Sequence, residues 1–524
     1  MSHPRSILRG LQCLNNPSKL LSRQQWWCQR RCLLTLAIET SCDDTSVSIV
    51  EKHNTTHNNG ASSTRSSPPA ASVHFLENIT ADSRQYQGIH PIVALTSHRK
   101  NLAKLINKAL KHLPAAEHGN QNKDIGKLIP VSSESEDLNN GVSLRQKPDF
   151  ISVTSGPGMA ANLAVGLDTA KGLAVAWQIP LVGVHHMHAH LLTPRLVSAL
   201  QSQQPPKGDS SSSSANTIIT QEGGDHNPTF PFLSILVSGG HTLLVHSRSL
   251  TDHEVLASTS DIAIGDALDK TARDILPPSL IQQSQTTMYG KMLEEFAFPN
   301  GASDYADYQA PATRAQEIAR LENQKFGWSF AMPFAQTKAL AFSFAGTAST
   351  AHRMITERKA NRRRPENNGD DDDDELLLLP QEDRVALARD VMTVCFEHLA
   401  SRAVIALKNL RQQEKKNKQQ QLADSDSDIK TLVVSGGVAA NEYLRTLLRS
   451  FLDIRGFSHV EIVAPPQNLC TDNAAMIGWA GIEMFEAGWR SDLGCATVRK
   501  WSLDARAEDG GILGSDSWIK AQSG

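Results

Sequence analysis

The sequence predicts an α/β protein with two related lobes facing one cleft, and three observations predict it. Short apolar runs at 150–154, 232–237 and 431–434 each end in a glycine turn: Ser155-Gly156-Pro157-Gly158, Ser238-Gly239-Gly240 and Ser435-Gly436-Gly437. Helical patterns at 162–177, 383–411 and 438–452 alternate with these runs, and strand, glycine turn, helix is the local signature of an α/β sheet. Finally, Val237-Ser238-Gly239-Gly240 recurs as Val434-Ser435-Gly436-Gly437, an echo that predicts one such turn from each lobe.

In chain order, the first strand is 33–38, and 46–50 is its partner after the turn at 41–45. Five polar stretches, at 53–72, 113–147, 200–228, 357–376 and 412–428, lack both helical and strand periods and read as inserted loops. The acidic run 370–374 reads as a solvated part of one of them. A chain of 524 residues is too long for one small core. Its net charge of -3 excludes a surface that is positive all over, so a nucleic-acid partner would need a local basic patch. Seven scattered cysteines without a CxxC pair argue against a disulfide framework and for a reducing interior. No run of about 18 apolar residues predicts a transmembrane helix. The first 38 residues differ from the rest: they carry six basic residues, and no acid appears before Glu39. An arginine- and serine-containing, acid-free leader has the composition of a mitochondrial transit peptide. Its removal leaves a chain near -9.

His185-His186-Met187-His188-Ala189-His190 is the most informative segment. Residues four apart on a helix lie about 40° apart around its axis, so His186 and His190 share a face and could bind one metal ion, while His185 and His188 point elsewhere. Two imidazoles need a further ligand. In Cys470-Thr471-Asp472-Asn473, Asp472 could supply it, or this segment could simply cap the helix that starts near Asn473. The three glycine turns suit anion binding, because backbone N–H groups point outward and glycine lets a phosphate come close. The Walker pattern is absent, which excludes a P-loop enzyme. Asp269 could accept hydrogen bonds from a ribose, and Asp266 with Lys270 could be an ordinary helix ion pair.

Eight segments carry a family resemblance. In order they are Glu39-Thr40-Ser41-Cys42-Asp43-Asp44-Thr45, the Ser155 turn, the histidine cluster, Leu236 to Thr242, Gly265 to Lys270, Phe342 to Gly346, Ser435 to Asn441 and Cys470 to Asn473. Together they resemble the tRNA N6-adenosine threonylcarbamoyltransferase family, earlier described as glycoproteases, in its mitochondrial branch. The resemblance implies a two-lobed actin-like ATPase (RNase H-like) fold with the active site in the interlobe cleft. It divides the chain into a transit peptide at 1–32, a catalytic region at 33–500 and a C-terminal tail at 501–524. It implies that His186, His190 and Asp472 hold one divalent metal ion (zinc, iron or magnesium). Leu236, Val237, Ser238, Gly239 and Gly240 would contact a threonylcarbamoyl adenylate, Asp269 its ribose, and Gly290, Glu294 and Asn441 the same ligand. The implied reaction moves threonylcarbamoyl from threonylcarbamoyl-AMP, made by a separate synthase, to the N6 amine of the adenosine 3′ of the anticodon. Its tRNAs read codons that begin with A. The implied working form is a homodimer in the mitochondrial matrix, with no membrane contact. Two alternatives stand beside it. An actin-like chaperone or kinase would share the fold without needing the histidines. A metalloprotease would need HExxH, which is absent.

Overall fold

The computed structural model describes residues 32–53, 70–86, 88–116, 125–132, 142–201, 226–284, 287–362, 379–419, 429–515 and 517–521. The leader expected over 1–32 lies outside them except for Cys32, which already belongs to the first strand. The acidic run 370–374 also lies outside them.

The first sheet grows from β1 (Cys32–Glu39), a run whose last six residues are all buried. β1 pairs antiparallel with β2 (Asp44–His53), which pairs with β3 (Ala71–Thr80). On its other side β1 pairs parallel with β6 (Phe150–Gly156), and β6 with β7 (Leu181–His185). Outside this sheet, β4 (Leu128–Ser132) and β5 (Val142–Gln146) form a separate hairpin. The second sheet repeats the plan. β8 (Phe232–Val237) pairs antiparallel with β9 (Thr242–Ser247), β9 with β10 (His253–Ser258), and β8 runs parallel to β13 (Thr431–Ser435), which is parallel to β14 (Glu461–Val463). Between them in sequence, β11 (Leu321–Asn323) and β12 (Trp328–Phe330) form a small hairpin. Both sheets therefore have the same order, third, second, first, fourth, fifth, and the first gains β15 (Trp489–Ser491) and β16 (Trp518–Lys520) beyond β7.

The longer helices, in chain order, are α1 (Pro91–Leu110), α2 (Ala160–Trp177), α3 (His186–Leu200), α4 (Ile264–Ile275), α5 (Tyr289–Ala297), α6 (Ala345–Arg362), α7 (Gln381–Gln419), α8 (Glu442–Ile454) and α9 (Ala474–Glu486). α9 is buried over nearly its whole length and packs across β1, β2 and β6 with α3 beside it. Its glycines permit this approach: a Cβ on Gly481 would stand 2.0 Å from Ser152 Oγ. Glu483 of α9 accepts hydrogen bonds from Arg195 Nε of α3 (2.8 Å) and from the Trp479 indole (2.7 Å). Arg195 also donates to the carbonyls of His226 and Pro228, so a buried, hydrogen-bonded ion pair fixes α3 against α9.

Several expectations change. The Ser-Gly-Gly echo does not report one turn from each lobe: β8 and β13 are hydrogen-bonded neighbours in the same sheet, with Ser435 opposite Leu236. The repeated units are instead the two sheets, in which β1 corresponds to β8 and β6 to β13. The expected loop 113–147 contains the β4–β5 hairpin, and those at 357–376 and 412–428 begin inside helices that run to Arg362 and Gln419. The stretch 200–228 ends in residues that accept from Arg195. Residues 501–515 and 517–521, expected as part of a C-terminal tail, are built into the fold. Trp501, Leu503 and Ile512 are buried, and β16 extends the first sheet. β3 breaks its alternation at Phe75-Leu76 and Glu77-Asn78, and β16 is only three residues long, so neither edge strand carries a clear period of two.

Candidate metal and nucleotide site

α3 begins where β7 ends, so the sequence moves directly from strand to helix at His185 and His186. His185 is the N-cap: its Nδ1 accepts from the His188 N–H at 3.3 Å, and its Nε2 faces the Trp501 carbonyl at 3.2 Å. The supposed tail thus helps to lock the start of the histidine helix. His188 turns toward His253, with ring centroids 5.1 Å apart. Burial, reinforced by neighbouring imidazoles, pushes His188 well below the ordinary histidine range, and burial takes His185 down to about 3.

His186 and His190 point the other way and meet edge to face, centroids 4.8 Å apart. Asp472 lies in the turn before α9, and its Oδ1 is 3.4 Å from His186 Nε2 and 3.1 Å from His190 Nε2. The three ligand atoms all lie within 4.8 Å of one another. Capping falls to the next residue: Asn473 Oδ1 accepts from the Met476 N–H, which leaves Asp472 free to face the imidazoles. Two imidazoles and a carboxylate converging at this spacing fit one divalent cation.

A second layer was not singled out from the sequence. Glu39, fully buried at the end of β1, sits with Oε2 3.2 Å from His186 Nδ1 and also accepts from Thr154 Oγ1. Ser41 Oγ is likewise 3.2 Å from that nitrogen. A carboxylate on one ring nitrogen orients the other toward a metal. The signal available in the sequence was a carboxylate ending an otherwise apolar strand. Burial opposes ionisation of Asp472 and Glu39, but the His186 charge outweighs it, holding Asp472 well below the usual carboxylate range and Glu39 below its own. Burial also disfavours the His186 cation, yet the two carboxylates raise it well above the ordinary range. Burial, with Asp472 nearby, lifts Asp44 to about 7. His241, in the β8–β9 turn, is pushed down to about 4 by burial and then by the charges of His186 and His190. α3 itself packs against β8 and β13, the strands that lead into the second and third glycine turns.

The three glycine turns are not equivalent. The Ser155 turn is covered: the Gly158 N–H donates to the Arg499 carbonyl at 3.3 Å, and the Val498 N–H donates to Ser155 at 2.8 Å. It is not an open anion cradle, contrary to expectation. In the second, Leu236 and Val237 bury their side chains, whereas Gly239 and Gly240 are exposed, and a Cβ on either would meet nothing within 4 Å. In the third, Gly437 is exposed, while Gly436 has φ 98° and its Cβ would stand 2.3 Å from the Val237 carbonyl oxygen. Only glycine can hold both that conformation and that contact.

The remaining candidates fall on the second sheet's helices. Asp269 Oδ1 accepts from the Gly290 N–H at 2.7 Å, and burial raises its carboxyl to about 6. Glu294 accepts from the Glu442 N–H at 2.8 Å, and Asn441 caps the same helix by accepting from the Leu444 N–H. Glu294 and Asn441 thus already serve the N-terminus of α8. Asp266 and Lys270 form the plain ion pair, 2.7 Å apart.

The sequence model of the family described as tRNA N6-adenosine threonylcarbamoyltransferase matches residues 138–208 and 211–479. A mitochondrial tRNA N6-adenosine threonylcarbamoyltransferase from Schizosaccharomyces pombe is 31% identical over 519 residues, covering 98% of this chain and 94% of its own. A tRNA N6-adenosine threonylcarbamoyltransferase from Brucella ovis is 29% identical over 477 residues, covering 90% and 96%. Among solved structures, YeaZ from Pseudomonas aeruginosa matches 42% of this chain and 60% of its own at a TM-score of 0.20 and 11% identity, too weak a likeness to argue from.

Proposed function

The chain belongs to the tRNA N6-adenosine threonylcarbamoyltransferase family, a family of tRNA-modifying enzymes, and from that premise we propose that it moves threonylcarbamoyl from threonylcarbamoyl-AMP to the N6 amine of the adenosine 3′ of the anticodon in mitochondrial tRNAs reading codons that begin with A. The kinase, chaperone and protease alternatives fall away with that membership. The observation that carries the reading is the convergence of His186, His190 and Asp472, on a helix that packs against β8 and β13, the strands leading into the glycine turns. The repeated strand order of the two sheets supports the two-lobed actin-like fold.

In this mechanism His186, His190 and Asp472 would hold one divalent ion. Two imidazoles and one carboxylate suit zinc or iron better than magnesium. When bound, the ion supplies Lewis acidity toward the carbamoyl oxygen and positive charge for the phosphate. Glu39 holds His186 Nδ1 and keeps Nε2 turned toward Asp472. Gly239 and Gly437 bring main-chain N–H groups within reach of the AMP phosphate, which is catalysis by positioning. Asp269 faces the ribose. The adenosine N6 forms the new N–C bond, and the C–O bond to the phosphate breaks. AMP departs with the bonding pair, and the amine proton passes to solvent. An anticodon loop offers an unstacked base, which makes N6 reachable. As part of the same proposal, the enzyme works as a homodimer in the mitochondrial matrix without membrane contact, and a separate synthase supplies the adenylate. The name of the S. pombe relative supports the compartment. The test is mass spectrometry of tRNA nucleosides after incubation with threonine, bicarbonate, ATP and an adenylate-forming partner. Threonylcarbamoyladenosine is the expected product, and tRNA that stays unmodified overturns the proposal.

A further inference from the structure

At the far end of β1 and β2 from Glu39, a second group of ligating atoms converges, and we propose that Cys32, Glu51 and His53 form a separate metal site, a three-ligand clip for a zinc-like divalent cation. The inference does not rest on the proposed function.

Strand register brings the three together. Cys32 lies opposite His53 across the β1–β2 ladder, and Glu51 stands two residues before His53, so all three side chains share one face. Cys32 Sγ is 3.5 Å from His53 Nδ1, and His53 Nδ1 is 3.9 Å from Glu51 Oε1. All three ligand atoms lie within 4.8 Å of one another. Ligands at about 2.3 Å (sulfur) and about 2.0 Å (nitrogen) from a tetrahedral ion stand roughly 3.5 Å apart, so these atoms need little movement to enclose one.

The surrounding groups are set as a metal site requires. His53 Nε2 is held by Ser72 Oγ at 2.9 Å, which leaves Nδ1 to face the thiol and the carboxylate. The second Glu51 oxygen, Oε2, is 2.7 Å from His74 Nε2. His74 reaches it from the β2–β3 irregularity, where pairing passes from Val50–Val73 to Ile49–Phe75 and leaves His74 as the extra residue. Glu51 is 8% exposed, so its carboxylate needs partners; His74 holds one oxygen, and the other faces His53 on the side where a cation would sit. Thiolate, imidazole and carboxylate together select a borderline-soft ion of the zinc type over calcium or magnesium, with water completing the tetrahedron. Such a clip would pin the start of β1 to β2. It also requires that leader removal spare Cys32.

Cobalt separates this site from the other, because His186, His190 and Asp472 include no sulfur. Cobalt(II) titrated into the metal-free full-length protein is expected to give a sulfur-to-cobalt charge-transfer absorption at one equivalent. The absorption is lost in Cys32→Ser and retained in His186→Ala. Affinity falls at least about 10-fold in Glu51→Gln, and His74→Ala weakens it by roughly 10–100-fold as an orienting partner would. If Cys32→Ser fails to fold, His53→Gln is read instead, with the same loss of at least about 10-fold. No absorption in the parent protein, an absorption that survives Cys32→Ser, or unchanged affinity in His53→Gln overturns the proposal. So does a mature protein whose N-terminus lies beyond Cys32.

Discussion

The two sheets share a strand order but divide the chemistry between them. In the first, the positions after the central strands carry charge: Glu39 ends β1, and His186 and His190 follow β7. In the second, the ends of β8 and β13, the counterparts of β1 and β6, carry Ser238-Gly239-Gly240 and Ser435-Gly436-Gly437, which offer backbone rather than side chains. On the proposed reading one half would hold a cation and the other an anion, although five strands of each sheet share one order. The lesson is that topology sets where a site can form, and residue type at the strand ends sets what it binds.

The sharpest way to break this comparison is at the histidines. His186→Ala and His190→Ala are each expected to remove bound metal and to cut threonylcarbamoyl transfer by well over roughly 100-fold, since losing a ligand exceeds loss of an orienting partner. His188→Ala keeps metal and activity, because its ring lies against His253. Elemental analysis and nucleoside mass spectrometry on all three variants decide it. Metal lost from His188→Ala but kept in His186→Ala reverses the assignment.

The next test removes the ion pair that sets α3 against α9. Glu483→Ala strands the Arg195 guanidinium in a buried position and should cost about 3 kcal/mol. Denaturant unfolding reads this directly. A cost under about 1 kcal/mol would place the pair among weak surface contacts instead.

Glycine exchange sharpens the contrast within the second sheet. Gly436→Ala places a Cβ against the Val237 carbonyl at positive φ and should destabilise by about 2–3 kcal/mol. Gly239→Ala meets nothing, so folding should hold while transfer falls about 10-fold through hindered phosphate approach. Equal melting temperatures for the two variants would refute the distinction.

The smallest effect concerns Asp269. Its folded carboxyl is raised to about 6 from 3.8, so between those values the folded state holds a proton that the unfolded state has lost. Stability is therefore highest below the unfolded value and declines as pH rises through the folded one. Because the group is partly exposed, the whole change should be about 1 kcal/mol. Asp269→Asn should flatten that slope in unfolding measurements taken between pH 4 and pH 6, and an unchanged slope would show that another group carries it.

The sequence by itself determined the α/β class, because apolar runs ending in glycine turns are a local property that neighbouring residues impose. It also determined that His186 and His190 share a face, since helical period fixes angle regardless of surroundings. Tertiary structure decided the rest. Glu39 reaches His186 across 147 positions, and Asp472 reaches His190 across 282, distances over which no local period carries information. Ser155-Gly156-Pro157-Gly158 and Ser238-Gly239-Gly240 look alike in sequence, yet the first is closed by Val498 and Arg499, while Gly239 and Gly240 of the second stay exposed. Trp501 reads as part of a tail because its partner His185 lies 316 positions away, and the strand at 518–520 does so because it is only three residues long. Whether a turn binds a ligand or merely packs depends on what else the fold brings against its N–H groups, and only the assembled sheets settle that.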